Sequence, residues 1–332
     1  MSSRSLLVLP DDSARPILDA IAGAAKSLRV KMFVFSDPAL LRAVIAARRR
    51  GVKVQVILNP ARKSGEEDNE TTRQRLIDGR VDVADGNPRF SLTHEKSMVV
   101  DDTTAFVKSL NWARKNLTAT RDYAVATTHT REVQDIVDGF EADWHRQPFA
   151  GREDGHLIWC PGGRERIARF IDDARHTLFV QNERYQDPVI IERLVRAARR
   201  GVKVRVMARA PHTLKESKLV EGVSGLRILD DVGIDVRTLK HLKLHAKMIL
   251  VDDEQAVIGS INLSPGSFDH RRELAIQVGE PDMMKRIRKT AHHDWGKSHK
   301  LDLSDEGLLA DLQGKYGNVE DRLGLHVEDH PS

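Results

Sequence analysis

IAGAAKSLRVKMFVFSDPALLRAVIAARRRGVKVQVILN, residues 21–59, returns without a gap as IDDARHTLFVQNERYQDPVIIERLVRAARRGVKVRVMAR, residues 171–209. At this offset of 150, fourteen of 39 positions are identical, among them Asp37-Pro38 with Asp187-Pro188 and Gly51 to Val54 with Gly201 to Val204. Solenoid units run only ~20–50 residues, so a repeat this long has the size of a whole domain. Each copy reads as α/β. Leu28–Phe35 has the Val and Phe content of a buried strand. Asp37-Pro38 supplies an N-cap and a proline in the first helical turn. The helix runs to about Arg50 and stops at Gly51, and Val52–Leu58 is the next strand. The second copy repeats that order. Strand–helix–strand units predict right-handed crossovers and mixed, mostly parallel sheets.

Working outward, Glu132–Arg146 and Asp282–Lys297 read as helices closing each half, and Gln147–Gly163 reads as the linker. The expected organisation is a first lobe at 1–150, a second at 151–300 and an acidic tail at 301–332. The 332 residues carry 53 Lys+Arg against 49 Asp+Glu, a formal charge of +4. Residues 301–332 hold eight acids against Lys315 and Arg322, a charge of −6, which leaves the body at +10. A basic body suits a polyanionic partner, either an anionic lipid surface or nucleic acid. The basic helix ends Arg48-Arg49-Arg50 and Arg199-Arg200 read first as complements to the helix dipole. One cysteine, Cys160, excludes an intramolecular disulfide framework and fits a reducing compartment. No run approaches the ~20 apolar residues of a spanning helix, so the expected location is cytoplasmic or peripheral to the membrane.

The chemistry lies in two further stretches. THEKSMVVDDTTAFVKSLN (93–111) and LHAKMILVDDEQAVIGSIN (244–262) each contain H-x-K-x4-D followed by Ser-x-Asn. The residues are His94, Lys96, Asp101, Ser109 and Asn111, then His245, Lys247, Asp252, Ser260 and Asn262. Residues i and i+2 of a strand share a face, so His and Lys project together, as do Ser and Asn from the next strand. Asp101-Asp102 and Asp252-Asp253 fall where a turn would join those strands, so Asp101 and Asp252 are expected either among the catalytic residues or as shapers of that turn. Two imidazoles and two lysines facing one another suit phosphate better than a metal, since each lysine repels a divalent cation, while Ser109, Asn111, Ser260 and Asn262 can donate hydrogen bonds to the phosphate oxygens. One neutral imidazole can attack phosphorus while a protonated one delivers a proton to the leaving oxygen.

The doubled H-x-K-x4-D pattern, each with its Ser-x-Asn, resembles the phospholipase D superfamily over nearly the whole chain to about residue 299. The resemblance implies two pseudo-twofold-related α/β/α lobes, a site at their interface, and no cofactor or metal. It implies a phosphohistidine on His94 with His245 as general acid. The residues themselves do not assign those roles, because the copies are nearly symmetric. It also implies that Asp122 and Glu273, each eleven residues after the Asn, orient the imidazoles, and that oligomerisation is not needed to complete the site. One departure stands out: Lys108 replaces the glycine that precedes Ser-x-Asn, kept here as Gly259. The expectation is that its side chain points to solvent, the alternative being an extra cation at the pocket.

The substrate stays open between two classes. The leading expectation is a phosphodiesterase or phosphatidyltransferase acting on phospholipid at an anionic membrane surface. The alternative is a nuclease, for which Trp112 at the site edge could stack on a base, although packing is its simpler role. A non-catalytic phosphate-binding module ranks third, because both His-Lys pairs are intact.

Overall fold

The computed structural model describes residues 3–60, 68–210, 219–308 and residue 310. Two sheets share one strand order. The first runs Arg4–Leu9, Thr120–Thr127, Thr104–Lys108, Ser97–Val100, Ser27–Met32, Lys53–Leu58 and Asp82–Asp85 from edge to edge. The second repeats it with Leu157–Cys160, Arg271–Val278, Gln255–Gly259, Met248–Val251, Thr177–Gln181, Lys203–Met207 and Asp235–Leu239, and adds Ser298–Lys300 at the far edge. The sheets are mixed, as expected, but parallel pairs do not predominate. Within each sheet they join the strands linked through helices, such as Ser27–Met32 with Lys53–Leu58. The two strands of each HxK stretch are joined by a tight turn, which permits only antiparallel pairing.

The local signals act as read. Asp37 accepts hydrogen bonds from the backbone N–H of Ala39 and Leu40 at 3.0 and 2.9 Å and starts the helix Pro38–Arg49. Asp187 caps Pro188–Arg199 in the same way through Ile190 N. Arg50 and Arg200 turn back to carbonyls at the end of the preceding helix, Ile21 and Ala24 in one lobe and Asp172 and Ala174 in the other. The helix-end arginines at these two positions therefore serve the fold.

Three apolar cores follow from the alternation along the strands, because both faces of each sheet are covered. Leu28, Val30, Met98 and Phe106 face the outer helices of the first lobe, and Leu178, Val180, Ile249 and Val257 those of the second. Val99, Val107, Met248 and Ile258 point the other way. They fill a central core that both lobes share with the helices Thr130–Trp144 and Pro281–Gly296.

The lobes interlock. Leu92–Thr93 of the first half pairs with Arg271–Arg272 of the second, and Lys243–Leu244 of the second pairs with Thr120–Arg121 of the first. Buried ion pairs cross the same seam. Arg272 grips Asp143 with two bonds of 2.8 and 2.9 Å, and Arg121 grips Asp294 with two of 2.8 Å. Two boundaries differ from expectation. Leu157–Cys160, placed within the linker by sequence, is a strand, because Ile158 and Cys160 enter the second lobe's core. Leu301 and Leu303, assigned to the tail, are buried in that same core. Residues 311–332 lie outside the described residues.

Candidate active site

The strand interruption at each HxK motif creates the site. After Leu92–Thr93 and Lys243–Leu244 the chain leaves one lobe's sheet and enters the other's, so His94 and His245 stand at the seam. His94, Asn111, His245 and Asn262 line one cavity of 280 Å³. Lys96 and Lys247 lie behind the rings, each Nζ donating to the carbonyl of its own motif histidine at 2.5 Å. Asn111 and Asn262 are buried, and each leaves its Oδ1 without a partner among the described residues. An amide can turn either end inward, so these side chains offer the cavity a donor or an acceptor.

The orienting carboxylates cross the seam. His94 Nδ1 lies 2.8 Å from Glu273 of the second half, and His245 Nδ1 lies 2.7 Å from Asp122 of the first. A carboxylate at Nδ1 fixes the proton there and leaves Nε2 for chemistry. Ser109 and Ser260, expected at the phosphate, are fully buried and do other work. Ser109 Oγ donates to Asp122 at 2.6 Å and accepts from Tyr123 N; Ser260 Oγ accepts from Leu274 N and helps hold Glu273. They support the carboxylates, together with Thr120 at Asp122 and Ser267 at Glu273.

Asp101 and Asp252 are not at the cavity. Each lies at the turn about 16 Å along its strand from the lysine, five residues at ~3.3 Å apiece. Asp101 accepts from the N–H groups of Ala25, Lys26 and Ser27, and Asp252 from those of Arg175, His176 and Thr177. Both have positive φ, 52° and 51°, which Asp tolerates better than most residues. Their part in the motif is to hold the start of the neighbouring strand.

Lys108 does not point to solvent. It is fully buried, its Nζ has no hydrogen-bond partner among the described residues, and it lies 5.1 Å from the Trp112 ring centroid. Burial pulls it down to about 7, with Glu95 opposing. Trp112 is itself fully buried against Phe35, so it packs and offers no stacking face.

Burial, then Lys96, Lys247 and Arg271, hold His94 well below the ordinary histidine value. Its contact with Glu273 is therefore a hydrogen bond from a neutral ring rather than an ion pair. Burial also raises Glu273 above the usual carboxylate value, against Lys96, Ser260 and Ser267. Burial would raise Asp122 too, but His245 and Lys247 outweigh it and hold Asp122 low. Burial pulls Lys96 down to about 7, with Glu273 opposing and Lys247 adding to it.

Several cavity residues were not anticipated from sequence: Glu183, and the cations Lys115, Arg184, Arg209, Lys243 and Arg271. The signal available was the repeat itself, because Glu183 aligns with Phe33, Arg184 with Val34 and Arg209 with Asn59. At all three positions the second copy carries a charge where the first is uncharged.

The chain is similar to several known proteins in sequence or in structure. Cardiolipin synthase B of Escherichia coli K12 is 26% identical over 323 residues, covering 82% of this chain and 75% of that protein. Phosphatidylserine synthase of Haemophilus influenzae Rd KW20 superposes with a TM-score of 0.72 at 12% identity, over 97% of this chain and 94% of that one. Polyphosphate kinase of Porphyromonas gingivalis gives 0.72 at 15% identity, over 94% and 52%. At such identities the two structures establish the fold alone. The family model described as "Cardiolipin synthase, PLD-like domain" matches twice, at residues 17–144 and 167–295, one match per lobe. With both matches spanning most of its length, the chain belongs to this phospholipase D-like family.

Proposed function

We propose that this protein is a phosphodiester-transferring enzyme that moves a phosphatidyl group between alcohols, or to water, at an anionic phospholipid surface. The observation that carries the reading is one cavity in which two imidazoles, each fixed through Nδ1 by the other lobe's carboxylate, meet beside two lysines and two amides whose Oδ1 has no partner among the described residues.

The reaction runs in two steps. His94 Nε2 attacks phosphorus; the N–P bond forms, the bond to the leaving oxygen breaks, and His245 gives that oxygen its Nε2 proton. An acceptor hydroxyl then returns a proton to His245 Nε2 as its oxygen attacks phosphorus, and the N–P bond breaks. Lys96, Lys247, Asn111 and Asn262 are the groups to stabilise charge on the equatorial oxygens. Both motif lysines stand where a divalent cation would be repelled, which favours turnover without one.

A cavity of 280 Å³ has room for the phosphodiester and a small head group, so acyl chains stay outside it. No described helix is long and apolar enough to cross a membrane, which makes interfacial access the fitting route. The similarity to cardiolipin synthase B supports lipid over nucleic acid. The burial of Trp112 removes the stacking residue that had favoured a nuclease.

The test is a parallel assay in EDTA on phosphatidylglycerol liposomes and on labelled single-stranded DNA and RNA. Head-group release or exchange without strand cleavage is expected. Strand cleavage without lipid turnover would overturn the substrate assignment, and strict dependence on a divalent metal would overturn the mechanism.

A further inference from the structure

The two halves put equivalent groups around each histidine but differ in charge at the aligned positions Phe33 and Glu183. In the first half the Phe33 ring stands edge-on to His94 at 4.7 Å between centroids and lies 5.1 Å from Lys96 Nζ. In the second half Glu183 takes its place. Its Oε2 accepts from Lys247 Nζ at 2.6 Å and lies 3.8 Å from His245 Nε2, and Arg209 approaches its Oε1 at 3.4 Å. Burial pushes Glu183 up, but Lys247, His245 and Arg209 hold it well below the usual carboxylate range, so it is charged.

Each imidazole therefore has one carboxylate at Nδ1, but among the described residues His245 alone has a second, on the side of its reactive nitrogen. A second negative charge favours the imidazolium form. His94 receives the opposite treatment, with an aromatic ring where Glu183 would be and the charges of Lys96, Lys247 and Arg271 felt instead. Sequence symmetry left the acid and the nucleophile interchangeable; this pair of residues does not.

We propose that Glu183 makes the two histidines unequal: its carboxylate, set beside His245 Nε2, supports proton delivery from that ring to the leaving oxygen and so leaves His94 to attack phosphorus. Glu183 acts through His245 and Lys247 and is a positioning residue. The inference rests on the two-step reading above and adds the element that sets its direction.

Two experiments test it. Glu183→Gln keeps the shape and removes the charge. With phosphatidylglycerol, whose glycerol oxygen needs a proton to leave, the rate is expected to fall about tenfold to a hundredfold. With phosphatidyl-p-nitrophenol, whose oxygen leaves as a stable anion, it falls far less. Equal losses on both substrates would overturn the proposal, since a purely architectural role harms both alike. The second experiment locates the adduct by mass spectrometry after an alkaline quench, which preserves N–P bonds. Wild type should carry it on the peptide containing His94, and the double exchange Phe33→Glu with Glu183→Phe should carry it on the peptide containing His245. An adduct still on His94 after the exchange overturns the role of Glu183. No adduct on either histidine in wild type overturns the phosphohistidine reading itself. If the exchange does not fold, the two-substrate comparison decides alone.

Discussion

Replacing Glu273 by Gln should cripple the reaction without loosening the fold. Glu273 is fully buried, with one oxygen 2.8 Å from His94 Nδ1 and the other accepting from Ser267 Oγ at 2.8 Å. Gln has nearly the same volume, so no cavity opens, and the change falls on charge and hydrogen bonding. A hydrogen bond to a charged group is worth ~1.5–3 kcal/mol. At ~1.36 kcal/mol per decade that is about a ten- to 150-fold loss in kcat, if the amide oxygen still faces Nδ1. If the amide nitrogen turns to Nδ1, the imidazole proton must move to Nε2 and the attacking lone pair is lost. The comparable change in a Ser-His-Asp triad costs ~10⁴, which sets an upper bound. The assay is initial-rate head-group release from phosphatidylglycerol mixed micelles, with urea unfolding as the control for folding. KM should change little, because Glu273 is not among the residues lining the cavity. A kcat within about threefold of wild type in a folded variant would refute the claim that the crossed carboxylate fixes the tautomer.

Three further outcomes follow from residues away from or beneath the cavity. Asp101→Ala removes three backbone hydrogen bonds and leaves alanine at a φ of 52°; it should lower stability by ~2–3 kcal/mol in urea and leave kcat unchanged. Activity and stability should also diverge with pH. In kcat/KM the acid limb lies well under 6.5, where His94 is finally protonated, and the alkaline limb begins near 7 as Lys96 loses its charge. Stability runs the other way: the folded values of Lys96 and Lys108, about 7 against 10.5, mean the unfolded chain binds more protons between them. Stability therefore rises with pH through that window. Lys108→Met, which removes a buried amine lacking a hydrogen-bond partner among the described residues, should raise the urea midpoint more at pH 6 than at pH 9; an equal effect at both would refute the assignment.

The repeat, the Asp-Pro helix starts and the HxK strands were legible because each rests on contacts within a few residues. His94 with Lys96 on one side of a strand follows from a period of two. What depended on the partner lobe was not legible. Sequence placed Ser109 and Ser260 at the phosphate because Ser-x-Asn shares a face, but the next strand lies directly beneath them and takes their hydroxyls. The turn at Asp101 could be read, while its three backbone partners some 75 residues earlier could not. Lys108 defeated both expectations, since nothing local announces a lysine enclosed in a core. The family resemblance pointed to Asp122 and Glu273, eleven residues after each Asn, but not to each serving the other half's histidine.

That exchange of carboxylates has a consequence for inheritance. Duplicated domains commonly behave as modules that recombination can trade one at a time. Here a traded half would arrive with a histidine and a carboxylate fitted to different partners, and both imidazoles would lose their matched support in a single event. The two halves can diverge, as Phe33 and Glu183 have, only within a shared lineage. The chain is thus one heritable unit of catalysis written twice, and its natural seam at the linker is the place where it can least afford to be cut.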